Sequence, residues 1–134
     1  MVEALQGAGV VVTGAGGGIG AALARRFAAE GARVVVNDLD AGRAKAVAEE
    51  IGGTAVAGDA SAVIADALDA LGGTVDVYCA NAGVAFGGGN ADEPLDETGW
   101  ATSWDVNVME VGQPVSSSGS SAFPPPKATP ALAQ

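Results

Sequence analysis

The stretch "TGAGGGIG", residues 13 to 20, could do one kind of chemistry: hold phosphate with main-chain atoms. It follows the valine run "GVVVT" and opens an alanine-rich segment with helical spacing. Glycines in that context let the chain turn tightly and let a pyrophosphate approach N–H groups at a helix N-terminus, where the helix dipole favours negative charge. No Gly-Lys-Ser/Thr follows, so it is no Walker loop. About twenty residues on, Asp38 closes a second valine run and stands where a carboxylate can accept the hydroxyls of an adenosine ribose. Its charge would repel a 2′-phosphate, so NAD is expected over NADP. The loop carries no arginine and Leu39 beside Asp38 is neutral, although Arg43 is close by in the sequence.

Other chemistries are excluded by what the chain lacks. It contains no histidine, which removes Ser-His-Asp catalysis and the common His-ligated zinc sites within one chain, and no metal site is expected. Cys79 is alone in an apolar run, so it forms no intrachain disulfide and reads as a buried, inert thiol. A formal charge of −10 disfavours nucleic-acid backbones and anionic membrane surfaces. With neither a signal-like N-terminus nor a run of 18 apolar residues, the chain reads as soluble and cytoplasmic.

The elements that must position the loop and Asp38 alternate regularly. Gly9–Thr13, Ala32–Asp38, Thr54–Gly58 and Val75–Ala80 read as strands, the first two buried on both faces. Between them lie helical stripes: Ile19, Leu23 and Phe27, stopped by Gly31; then Ala44, Val47, Ala48 and Ile51, stopped by Gly52; then Ile64, Ala67, Leu68 and Leu71, stopped by Gly72. Asp59 or Ser61 is placed to cap the third helix, and Thr98 to cap a fourth holding Trp100, Trp104, Val108 and Val111. Strand-helix alternation with short links predicts an α/β fold, a Rossmann-like doubly wound parallel sheet truncated after about four strands. Residues 84 to 98 read as a glycine-rich, then acidic loop. Residues 1–111 form the expected nucleotide-binding domain; residues 112–134, rich in serine and proline with Lys127 the only charge, form an expected disordered tail.

The glycine register is G-x-x-x-G-x-G at Gly14, Gly18 and Gly20, which resembles the short-chain dehydrogenase/reductase family. Asp38, "DAS" at Asp59, "NAG" at Asn81 and "DVNV" around Asn107 extend the resemblance in order over roughly residues 8 to 110. The resemblance implies NAD as cofactor, contacted by Gly14, Gly17, Gly18, Ile19, Gly20, Asp38 and Leu39. It also implies Asp59 at the adenine amino group, backbone contacts from Ala60, and Asn81, Ala82 and Gly83 lining the cofactor. For Asn107 it implies the one catalytic role that carries over, helping to hold a water that relays protons to a lysine. Hydride transfer at a carbinol or carbonyl is the implied reaction.

The family's serine and its Tyr-x-x-x-Lys helix have no match in these residues. Tyr78 lies within the fourth strand with Ala82 four places on, and Lys127 has Phe123 four places before it. The character of the sequence changes near Glu110 to Gly112, as a shifted reading frame or misplaced gene end would produce. The expectation is an NAD-dependent oxidoreductase by family, inactive as this chain. The alternatives are a non-catalytic NAD- or adenine-nucleotide-binding module, or a fragment without function. The family strand order, 3-2-1-4, would leave the fourth strand at an open edge, and self-association is expected there. An alcohol or ketone substrate belongs to a fuller relative.

Overall fold

The computed structural model describes residues 3–84 and 97–109, apart from the side chains of Ser61, Glu97, Thr98, Trp100 and Met109. The expected loop beyond Val84 and the expected tail lie outside these residues. Four strands form one parallel sheet: β1 (Gly9–Val12), β2 (Arg33–Asp38), β3 (Thr54–Ala57) and β4 (Val77–Cys79). Their order is β3-β2-β1-β4, with Val10 opposite both Val34 and Val77 and Val12 opposite both Val36 and Cys79. Helices α1 (Gly18–Ala29), α2 (Ala41–Ile51) and α3 (Ile64–Ala70) connect consecutive strands.

Strand periodicity divides the core between the two faces. Val10, Val12, Val34 and Val36 point one way, against Ala21 and Ala24 of α1 and Ala44, Val47 and Ala48 of α2. Val11 and Val35 point the other way, against Ala67 and Leu71 at α3. A valine run without polar alternation is the mark of strands covered on both sides, and the fold has the doubly wound parallel arrangement.

Four local expectations need correction. Of the expected α1 stripe only Ile19 turns away, 75% exposed, while Leu23 and Phe27 pack against the core beside buried Gly20, Ala21 and Ala24. Small side chains let the helix lie close to the valines, which sets Ile19 outward at the mouth of the glycine loop. β4 is three residues long rather than six, because its start is held differently. The Asp76 carboxylate accepts the Gly9 N–H at 2.7 Å while the Asp76 N–H reaches Gly9 O at 2.8 Å, so a side chain replaces a ladder partner. The N-cap position of α3 falls on neither Asp59 nor Ser61. A 3-10 turn (Ala60–Ala62) intervenes, with Ala62 N–H on Asp59 O, and Val63 stands at the N-cap with no side-chain bond.

The last correction is to the fourth helix, α4 (Glu97–Trp104), which already includes Thr98. It continues into a π-helical turn, Asp105–Met109, within the expected "DVNV" segment. Elsewhere the stops are as expected, with Gly31 at φ 86° and Gly52 at φ 67°. The cap of α2 is Asp40, whose side chain accepts the Arg43 N–H.

Candidate nucleotide-binding site

The topology reverses between β1 and β4, and the carboxyl ends of the strands open there into a crevice of about 560 Å³. In open α/β sheets ligands bind at this position, and the volume lies within the usual range for small-molecule sites. The glycine loop forms the floor. Gly14 has φ 60°, and a Cβ on it would lie 2.9 Å from Ala82 Cα, so no side chain fits where the loop meets the segment after β4. Gly18 has φ 55° with nothing within 4 Å of where a Cβ would be, and Gly17 likewise faces open space. Both line the crevice together with Ile19. Gly20 stands behind it, where a Cβ would meet Asn81 Nδ2 and Gly14 O at 2.5 Å.

Thr13, fully buried at the end of β1, fastens this floor to the far wall. Its hydroxyl oxygen accepts the N–H groups of Asn81 and Ala82, each at 3.0 Å, and donates toward Cys79 O at 3.4 Å. Asn81 answers with its amide, which donates to Thr13 O at 3.0 Å and Gly14 O at 3.4 Å. The side chain of Asn81 is thus spent on the loop, and Ala82 and Gly83 carry the wall forward along the crevice.

Asp38 lies at the end of β2, only 7% exposed. Its Oδ2 accepts the Gly16 N–H at 3.1 Å; its Oδ1 accepts the Asp40 N–H at 2.9 Å and Arg43 Nη2 at 3.0 Å. Neighbouring Asn37, 1% exposed, donates from its amide to Val56 O and Gly58 O, both at 3.0 Å, tying β2 to the end of β3. This places Asp59 and Ala60 on the same crevice as Asp38, with exposed Leu39 at its rim.

Asn107 does not line the crevice, although its neighbour Val106 does. Its side chain makes a reciprocal pair with Val84: Val84 N–H donates to Oδ1 at 2.9 Å and Nδ2 donates to Val84 O at 2.8 Å. Asn107 therefore anchors the chain that leaves Gly83. Cys79, half-buried rather than buried as expected, has its thiol pushed above the usual range by burial, which lowers its thiolate fraction at neutral pH.

Gly14, Gly17, Gly18, Ile19, Asp38, Leu39, Asp59, Ala60, Asn81, Ala82 and Gly83 all border this one crevice, whereas Gly20 supports it and Asn107 stands outside. Thr13, Asn37 and Asp40 were not singled out from the sequence. Thr13 is the first residue of the quoted motif, and a buried hydroxyl at a strand end needs partners, which was the available signal. Asp40 three residues before Arg43 is an ordinary N-cap spacing.

A glycine floor at a helix N-terminus, a carboxylate after the second strand and a wall after the fourth are arranged as in nucleotide-binding α/β folds. The family model described as short chain dehydrogenase matches residues 8–116, and the chain belongs to that family. It is 38% identical over 122 residues to 3beta-hydroxysteroid dehydrogenase 1 of Eggerthella lenta, covering 83% of this chain and 46% of the relative. With the peroxisomal multifunctional enzyme A of Dictyostelium discoideum it shares 46% identity over 92 residues, 56% of this chain and 21% of the relative.

Among solved structures, the 3-ketoacyl-(acyl-carrier-protein) reductase from Brucella melitensis complexed with NADH superposes with a TM-score of 0.72 at 38% identity, covering 80% of this chain and 47% of that one. A metagenomic short-chain oxidoreductase in complex with NADP gives 0.66 at 35% identity, covering 79% and 52%. The chain spans about half the length of these two structures and of the Eggerthella relative, and corresponds to the N-terminal half of the family.

Proposed function

We propose that these residues form the cofactor-binding half of an NAD-dependent oxidoreductase that transfers hydride at a carbinol or carbonyl, and that the 134-residue chain binds the cofactor without turning over substrate. The observation that carries the reading is the convergence of the glycine loop, Asp38 and the Asn81–Gly83 wall on a single crevice. The residues fit a dinucleotide: Gly17 and Gly18 leave open space beside main-chain N–H groups for a pyrophosphate, and buried Asp38 supplies acceptors for ribose. When bound, the nicotinamide supplies the hydride acceptor or donor.

This chain's own groups bind and orient. Thr13 and Asn81 hold floor to wall, and Asn107 fixes the main chain at Val84. Among the described residues no Tyr-x-x-x-Lys pair stands ready for the proton transfer that must accompany hydride transfer. Tyr78, half-buried in β4, has Ala82 rather than lysine four residues on, so it does not begin a Tyr-x-x-x-Lys pattern. An equilibrium titration with NAD, run beside an NADH-formation assay with simple secondary alcohols, tests both parts. Saturable binding without NADH formation is expected. Absence of binding at millimolar NAD would end the nucleotide reading, and NADH formation would overturn the inactivity.

A further inference from the structure

Asp76 stands at the end of β4 away from the crevice, and its carboxylate is spent on β1. Oδ2 accepts the Gly9 N–H at 2.7 Å, and the Asp76 N–H returns to Gly9 O at 2.8 Å. Gly9 is buried, so its N–H needs an acceptor. The chain passes close there, since a Cβ on Gly9 would lie 2.6 Å from Thr74 O. Arg33 fastens the same corner, donating to Gly7 O at 3.1 Å and to Leu71 O at 2.8 Å. The other end of β4 is also closed by side chains: the Thr13 hydroxyl accepts the Asn81 and Ala82 N–H groups, and the Asn81 amide donates to Thr13 O. Between these closures Val10, Val11 and Val12 face Val77, Tyr78 and Cys79, and each of the three β4 residues is half-buried. β1 itself is buried throughout and pairs with β2 over all four of its residues.

The Asn81–Gly83 wall of the crevice is carried on this short strand. With the strands in the order β3-β2-β1-β4, a dinucleotide whose adenosine meets Asp38 after β2 crosses the glycine loop after β1 and ends against the segment after β4. The geometry points to Asp76 as a positioning residue for that wall. By pinning the start of β4 to Gly9 it holds Asn81–Gly83 in place for the second half of the dinucleotide, from about 16 Å away along the strand. The inference rests on the nucleotide-binding reading above. Without the carboxylate, the short ladder opens more often, and affinity falls with the fraction of chains whose wall is in place. A ligand that ends at the glycine loop does not use the wall and is insensitive to this opening. The coupling is reciprocal, so NAD held against the wall protects the closure between Gly9 and Asp76.

The test is calorimetric titration of the full chain, of Asp76→Ala and of Asp76→Asn with NAD and with ADP. In Asp76→Ala, NAD should weaken by about tenfold, as for loss of one charge-assisted hydrogen bond, while ADP changes by less than about twofold. Asp76→Asn keeps an oxygen that accepts the Gly9 N–H and should return NAD to within about threefold of the unmodified chain. Unchanged NAD affinity in Asp76→Ala, equal weakening of NAD and ADP, or no rescue by Asp76→Asn would overturn the proposal and leave the nucleotide reading standing. Failure of both ligands to bind the unmodified chain removes both. Should Asp76→Ala not fold, amide exchange in the unmodified chain decides, with fully buried Val35 of β2 as the reference. Saturating NAD should slow Gly9 relative to Val35 by about tenfold, and saturating ADP should leave that ratio as it is. The same ratio with both ligands refutes the role of Asp76.

Discussion

Asp38 carries more structure than a ribose contact requires. Because it accepts Gly16 N–H and Asp40 N–H from a buried position, Asp38→Ala leaves two donors without their partner and should cost about 1–3 kcal/mol of stability, read from denaturant unfolding. The same variant should weaken NAD by about tenfold or more and raise NADP relative to NAD, since Arg43 is then released beside the ribose. If the ratio stays fixed, Asp38 does not contact the ribose. Cys79 gives a second residue-scale expectation. Burial raises its pKa, so less thiolate is present near neutrality and alkylation should be slower than for a free thiol, rising with pH and in denaturant. Alkylation in the folded protein at the rate of a small thiol would contradict this. The sequence displayed Asp38 because a lone carboxylate ends a valine run; the bonds from Gly16 and Arg43 were invisible because they depend on how the loop folds back.

At the scale of elements, the first two strands were legible because two-sided burial writes itself as continuous valine. β4 was less so, because Asp76 substitutes a carboxylate for a ladder partner, and the start of α3 was hidden by the 3-10 turn before it. On α1 the spacing placed Leu23 and Phe27 against the core but misplaced Ile19, because the closest approach to the sheet is made by Gly20, Ala21 and Ala24. The glycine loop permits a clean experiment at Gly17. Its backbone is extended, φ −173°, and a Cβ there meets nothing within 4 Å, so Gly17→Val should leave the thermal midpoint nearly unchanged while NAD binding falls sharply. Equal affinity would mean that the space beside Gly17 holds no ligand. Asn107→Ala removes both bonds to Val84 and should speed amide exchange there; unchanged exchange would show that another contact fixes this segment.

At the scale of the whole molecule, the described residues form unequal cores on the two faces of the sheet: ten buried residues on the face of α1 and α2, against Val11, Val35, Ala67 and Leu71 on the other. Among the described residues β4 pairs on one side only, with β1, and Trp104 and Val108 are 41% and 43% exposed. Exposed apolar residues and an unpaired strand edge each favour association. We expect marginal stability and self-association, visible as concentration-dependent elution in size-exclusion chromatography. A sharp monomeric peak with a cooperative transition well above about 50 °C, mid-range for mesophile domains, would contradict this.

The most direct test of nucleotide binding at the glycine crevice is the change in backbone amide shifts of the labelled chain on adding NAD. The shifts should move at Gly14–Ile19, Leu39, Asp59–Ala60 and Asn81–Val84, and stay still at the opposite end of the sheet, around Gly7, Gly53 and Gly73. No movement at millimolar NAD, or movement centred on that opposite end, would contradict the assignment of this crevice.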